Sequence, residues 1–289
     1  NFINHDEFPY QIPSGSKYDS GDYHTVLQKA LDAANYDELI NRRDAARAAG
    51  RMAGIGIGTC LEPGGGNNIF EYLMNPSAEI TTFSEGAEIR VDPDGLVTGV
   101  VGTTTSGQGH ETLMATIIGE ELGIDPDTIR VVHADSLNAP VTRSPVASRM
   151  AIMLGSSTAA AAQKIIAKVM RIAAYNLQEV EDDLEYVDGS VFVRRDPVRK
   201  LTWRDICFIA HKAYHKMPDG MEPGLQAQHV FQVPGGGQLP DEQQRVQIYP
   251  CFSFQAHIPY VEIDPGTGHV KILDYTIGHD CGTMINPDI

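Results

Sequence analysis

Glu88-Ile89-Arg90-Val91-Asp92-Pro93-Asp94-Gly95-Leu96-Val97-Thr98-Gly99-Val100-Val101-Gly102 is the stretch that decides the fold. Ile89 and Val91 alternate with charged residues, and a branched run comes after Asp92-Pro93-Asp94-Gly95. The pattern predicts two strands, Glu88–Val91 and Leu96–Gly102, joined by a turn. The next residues do not make a third strand. Thr103-Thr104-Thr105-Ser106-Gly107-Gln108-Gly109 is polar and glycine-bearing. Glu111–Leu122 then reads as a helix, with Leu113, Ile117 and Ile118 inward and Gly123 as its stop. Ile129–His133 is the next strand. Strands, a helix and a strand in this order describe an α+β fold of mixed sheets and helices.

Working outward, a long helix is predicted over about Ala151–Val180, with Ile166, Val169, Met170, Ala173 and Leu177 as its apolar stripe. Residues 184–194 read as a hairpin turning at Asp188-Gly189, and Thr202 caps a helix through Tyr214. Residues 215–249, including Gly235-Gly236-Gly237, read as loop. A second hairpin pairs Phe252–Ile263 with His269–Ile277 around Asp264–Gly268. Towards the N-terminus, residues 1–25 read as an extended lead-in. Residues 24–49 have helical spacing broken near Asn35-Tyr36, with Arg42, Arg43, Arg47 and Arg51 on a solvated face. Gly54–Gly58 reads as a buried strand, and Glu62–Asn68 as a flexible loop, either a surface connection or a lid near a ligand. The two hairpins share an Asp-Pro turn, which suggests two related lobes; recurrence of a common turn is the alternative. The expected division is 1–50 as lead-in and helical linker, 51–200 as a first lobe, and 201–289 as the start of an incomplete second lobe.

Composition narrows the classes. With 42% hydrophobic and 21% charged residues among 289, the chain is too apolar for disorder. A net charge of -16 argues against nucleic acid or an anionic membrane as partner. No apolar run approaches the ~20 residues that span a bilayer. Cys60, Cys207, Cys251 and Cys281 are far apart and form no CxxC pair, which argues against a zinc ribbon or a cysteine-ligated cluster and for a reducing, cytoplasmic setting. No metal-ligand set stands out: His211 and His215 are four apart but lack an acidic partner. A chain that begins at Asn1 is expected to be a processed piece or part of a longer polypeptide.

Three segments could carry chemistry. In Thr103–Thr112 the glycines let backbone approach a ligand, and free N–H groups at a helix start favour phosphate. Gln108 could donate to an oxo or carbonyl oxygen, and His110 could bind a phosphate. Neither the P-loop nor GxGxxG pattern fits, and a capped helix with nothing bound explains the segment equally well. In Ser144–Arg149, Ser148 and Arg149 stand at a helix entrance, as a phosphate site or as a cap with a surface arginine. In Gly278–Pro287, Asp280, Cys281, Gly282 and Asn286 occupy a turn, which turn chemistry alone also explains.

Gly107-Gln108-Gly109-His110-Glu111-Thr112, Ala147-Ser148-Arg149, Phe254–Glu262, and Asp280-Cys281-Gly282 with Asn286-Pro287 occur in one order along the chain. In that order they resemble the molybdenum-binding subunit of the molybdenum hydroxylases, the xanthine dehydrogenase and aldehyde oxidase family. Asn1-Phe2-Ile3 and Tyr18–Tyr23 are similar to its carbon monoxide dehydrogenase branch. The resemblance implies that both lobes bind molybdopterin, in the cytosine dinucleotide form with molybdenum. It implies that Gln108 is catalytic, bonding a molybdenum oxygen. It also implies that Gly107, Gln108, Gly109, His110, Glu111, Thr112, Ser148, Arg149, Asp280, Cys281, Gly282 and Asn286 hold the cofactor, with no side chain ligating the metal. The implied reaction oxidises carbon monoxide, an aldehyde, an N-heterocycle or an aromatic thioester with water as oxygen source. Iron–sulfur clusters and FAD are implied on partner subunits, in a dimer of heterotrimers. The family's substrate loop and general base are expected outside this sequence. A non-catalytic nucleotide- or anion-binding module is the rival.

Overall fold

The computed structural model describes residues 2–66, 77, 84–143, 145–234 and 239–287. In chain order, β1 (Tyr10–Gln11), β2 (Lys17–Tyr18), α1 (Tyr23–Ala33), α2 (Tyr36–Ala48), β3 (Met52–Ile55) and β4 (Gly58–Gly64) come first. Next are β5 (Ser84–Val91), β6 (Val97–Val101), α3 (His110–Leu122), β7 (Arg130–His133) and α4 (Met150–Leu177). The last are β8 (Leu184–Val187), β9 (Ser190–Val193), β10 (Asp196–Leu201), α5 (Trp203–Lys212), β11 (Leu225–Gln232), β12 (Cys251–Ile263) and β13 (Val270–Asp280). Mixed sheets and helices are thus what the sequence predicted. Two compact units form, Asn1–Gly66 with Gln238–Met284, and Asn67–Gly237 with Ile285–Ile289. The sequence boundaries at 50 and 200 are not where these units divide: the first is built from both ends of the chain, because the N-terminal strands pair with β12.

In the first unit, β12 is the central strand. It pairs antiparallel with β13 from Phe254↔Asp280 to Ile263↔Val270. Its other edge is shared, Tyr260–Ile263 pairing with β3 and Cys251–His257 with β4. The Gly54–Gly58 stretch is therefore not one buried strand. It breaks at Gly56-Ile57, where Ile57 is 49% exposed. Glu62–Gly64 is strand and not loop; Asn67 and Asn68 lie outside the described residues. Phe254, Ala256, Ile258 and Tyr260 bury one face of β12 in the core that α1 contributes to. Tyr23 stacks on Phe254 with centroids 4.4 Å apart. The lead-in is more structured than expected: it forms the β1–β2 ribbon, and Asp22 caps α1 by accepting the Thr25 N–H. Asn35, left-handed at φ 47°, makes the break between α1 and α2. The arginines of α2 are not simply solvated: Arg42 meets Asp274 at 3.2 Å, and Arg47 donates to the Ala53 carbonyl.

The second unit holds a four-stranded sheet in the order β11-β5-β6-β7. β6 and β7 are parallel neighbours, which needs a crossover, and α3 supplies it. Ala87, Ile89 and Val91 of β5 pack with Met114, Ile118 and Leu122 of α3 and Leu154, Ile165, Val169 and Ile172 of α4. Each of the Val, Leu, Ile and Met side chains contributes about 1.5–3 kcal/mol on burial. The α3 stripe is rotated from the predicted one: Leu113 and Ile117 are only half-buried. On α4, Ile165 and Ile172 take the innermost places, with Ile166, Met170 and Leu177 beside them. By length and composition alone α4 could cross a membrane, but half of its apolar window is buried in this unit. β11 corrects the expected loop at 215–249; it pairs with all eight residues of β5. Gly235-Gly236-Gly237 lies outside the described residues. β8, β9 and β10 make a separate antiparallel sheet.

Candidate functional site

The turn after β6 is where strand and helix meet. Gly107 and Gly109 take φ of +103° and +71°, and a Cβ at Gly107 would meet nothing within 4 Å. Gly109 precedes α3 and supplies no side-chain cap, so the first-turn N–H groups have no intrahelical acceptor. Gln108 is exposed, and its side-chain oxygen accepts from the Ser106 N–H and the Thr105 hydroxyl. Its amide nitrogen is the group left to donate outward. Glu111 pairs with His133 Nε2 at 3.0 Å, tying the helix start to β7. Thr112 is exposed.

Two buried polar atoms of this turn, Thr103 Oγ1 and His110 Nδ1, lack a partner among the described residues. Each residue is only 4% exposed. Burial holds the His110 imidazole below its usual pKa; Glu111 and Glu85 push it up and Arg149 pushes it down. A neutral ring with one free nitrogen, open helix N–H groups and glycine backbone form a donor set suited to a phosphate-bearing group.

Arg149 is placed differently from its expected role. Its guanidinium is 0% exposed and bonds Glu85 at 2.6 Å and the Arg143 carbonyl at 2.8 Å. Its partner within the unit is the Glu85 carboxylate, and through it Arg149 braces the loop from inside. Breaking such a buried pair costs about 3–5 kcal/mol. Ser148 is exposed and left-handed at φ 48°, directly after Ala147 at φ 59°. Ser144 lies outside the described residues. Thr142 donates to Glu85 at 2.6 Å and sits against the end of β6, where a Cβ on Gly102 would lie 2.4 Å from Thr142 Cγ2. Only glycine permits that approach. Thr142, Arg143 and Arg149 are thus gathered around Glu85, and Thr142 lies against Gly102 at the end of β6, from which the Gly107–Thr112 turn leads on. The sequence reading missed Glu85: one carboxylate in a strand gives no signal before the loop that surrounds it is known.

Asp280, Cys281 and Gly282 belong to the first unit, and Asn286 to the second. The Asp280 carboxylate accepts the Gly282 N–H at 3.0 Å, the turn chemistry that by itself also explains this segment. Cys281 is exposed. Among the described residues, no group of three or more His, Cys, Asp or Glu could hold a metal ion.

Against known proteins, a family model described as "Molybdopterin cofactor-binding domain" matches residues 29–289. The carbon monoxide dehydrogenase large chain of Hydrogenophaga pseudoflava is 37% identical, over 100% of this chain and 34% of its own. The nicotine 6-hydroxylase large subunit of Paenarthrobacter nicotinovorans is 29% identical, over 98% of this chain and 33% of its own. Among solved structures, CO dehydrogenase from Oligotropha carboxidovorans superposes with a TM-score of 0.82 at 33% identity, covering 100% of this chain and 34% of that one. Quinoline 2-oxidoreductase from Pseudomonas putida 86 gives a TM-score of 0.81 at 27% identity, covering 98% of this chain and 34% of that one. The chain spans about a third of the length of these relatives.

Proposed function

The chain belongs to the molybdopterin cofactor-binding domain family, and on that premise we propose that it is the cofactor-holding part of a molybdenum hydroxylase large subunit. The observation that carries the reading is the 103–110 turn, with two left-handed glycines, an uncapped helix start and two buried polar atoms without partners. The cofactor supplies two-electron oxidation with water as the oxygen source. The protein's residues bind and orient it. The α3 N–H groups and His110 are the groups that would hold its phosphate oxygens. Gln108 Nε2, with its oxygen fixed by Ser106 and Thr105, donates outward. In this reading Ser148 and Asn286 are further cofactor contacts of the second unit, and Asp280–Gly282 is a candidate segment of the first unit taken by itself.

The cofactor's cytosine dinucleotide form is part of the proposal. So are iron–sulfur and FAD subunits as electron acceptors, a dimer of heterotrimers and a cytoplasmic location. The named relatives point to carbon monoxide or an N-heterocycle as substrate class. The test is elemental and nucleotide analysis of the assembled protein. One molybdenum per chain with CMP released by acid supports the reading. Absence of both from the assembled complex leaves the anion-binding module.

A further inference from the structure

We infer that Glu85 is a positioning residue, whose buried carboxylate holds the loop of Thr142, Arg143 and Pro145–Arg149 in the shape that retains the cofactor. This rests on the function proposed above. The Glu85 side chain is wholly buried and gathers three donors from that one loop. Thr142 Oγ1 donates at 2.6 Å, the Arg143 N–H at 3.3 Å and Arg149 Nη2 at 2.6 Å. Arg149 Nη2 also donates to the Arg143 carbonyl at 2.8 Å, which closes the arrangement on itself. The backbone of Glu85 is fixed in turn: Ser157 of α4 donates to its carbonyl and accepts the Phe231 N–H of β11 at 3.0 Å.

A connection between a strand and a helix does not need a buried ion pair. Desolvating two charges offsets most of their attraction, and apolar side chains of the same volume are often as stabilising. What the pair supplies is a defined geometry. It ends in Ala147 and Ser148, two successive non-glycine residues in the left-handed region, a conformation that persists only where its surroundings impose it. The same carboxylate acts by its charge on the start of the helix that follows the cofactor turn. His110, with its unpartnered Nδ1, feels the charges of both Glu85 and Arg149. Thr142, bonded to Glu85, also packs against Gly102 at the root of that turn. Glu85 therefore holds this loop beside the root of the cofactor turn.

The test uses the full-length large subunit in its assembled complex. Molybdenum content and its loss on dialysis are measured beside the thermal midpoint of the cofactor-free protein. In Glu85→Met with Arg149→Met, the midpoint should stay within a few degrees of the parent while molybdenum content falls at least tenfold. Thr142→Val removes one donor and leaves the ion pair; it should lose molybdenum several-fold faster than the parent. Glu85→Asp should recover part of the retention lost in the double variant. A folded double variant with parental molybdenum overturns the inference. If the double variant does not fold, parental retention in Thr142→Val overturns it. A parent that carries no pterin would instead defeat the functional reading itself.

Discussion

Trp203 Nε1 donates to the Gly95 carbonyl at 2.9 Å, tying the first turn of α5 to the β5–β6 hairpin. Gly95 is left-handed at φ +87°, and a Cβ there would lie 3.2 Å from Trp203 Cδ1. Gly95→Ala therefore meets two penalties, a strained backbone and a crowded indole. It should cost about 1–3 kcal/mol, read as a lowered denaturation midpoint. Trp203→Phe should cost about 1 kcal/mol through the lost hydrogen bond. An unchanged midpoint in Gly95→Ala would show that the turn relaxes freely.

Thr202 and Asp205 cap α5 reciprocally: the Thr202 hydroxyl accepts the Asp205 N–H at 3.3 Å, and Asp205 accepts the Thr202 N–H at 2.9 Å. Thr202→Ala should lower stability by about 0.5–2 kcal/mol. Thr202→Ser should restore most of it. Urea denaturation monitored by the single tryptophan, which sits next to this cap, measures both.

Elements with a local signal were legible in the sequence. Asp92–Gly95, Asp188-Gly189 and Asp264–Gly268 all turn hairpins, and Gly123 ends α3 as its left-handed cap. β11 was not legible, because Leu225-Gln226-Ala227-Gln228-His229 has one wet face and little apolar content; its strand character comes from pairing with β5. The glycine-rich candidate turn was visible because its chemistry is contiguous. The role of Arg149 was not, since its partner lies 64 residues away and only the folded sheet brings Glu85 to it.

Gln108→Glu separates the two roles of Gln108. A carboxylate still accepts from Ser106 and Thr105 but no longer donates, and it brings a negative charge towards the cofactor. Stability should change by no more than about 0.5 kcal/mol, as for an exposed position. Turnover of the assembled enzyme should fall, its activation free energy rising by ~2–4 kcal/mol, the size seen on losing one donor at a reacting oxygen. Retained turnover would remove Gln108 from the site.

His211 is held below its usual pKa, chiefly by burial, with Lys168 and Lys212 adding to the shift and Asp92 opposing it. Its Nε2 has no partner among the described residues. The unfolded chain then binds a proton more readily than the folded one. Stability from this group is fully present above the unfolded pKa of about 6.5 and is lost as pH falls through the lower folded value. His110 and His229 shift in the same direction. The melting temperature should therefore drop as pH falls below about 6.5. His211→Gln should flatten that slope, and an identical slope in the variant would assign it to other groups.

The sheet of the first unit leaves an apolar face open. Met52, Val270, Ile272, Tyr275 and Ile277 are 52%, 51%, 58%, 47% and 54% exposed. The register places Ile272, Tyr275 and Ile277 beside Val261, Pro259 and His257, opposite the face that Phe254, Ala256, Ile258 and Tyr260 bury. A contiguous apolar surface of this kind is uncommon on a monomer. The 289-residue chain expressed by itself should consequently self-associate, in a manner that deepens with concentration, and it should show no dye-reducing activity with any substrate of its relatives. Ile272→Lys with Ile277→Lys places two charges on the face without touching the opposite core. That variant should sediment closer to 31.5 kDa than the parent does. A parent chain that is monodisperse at that mass and reduces dye would contradict both expectations.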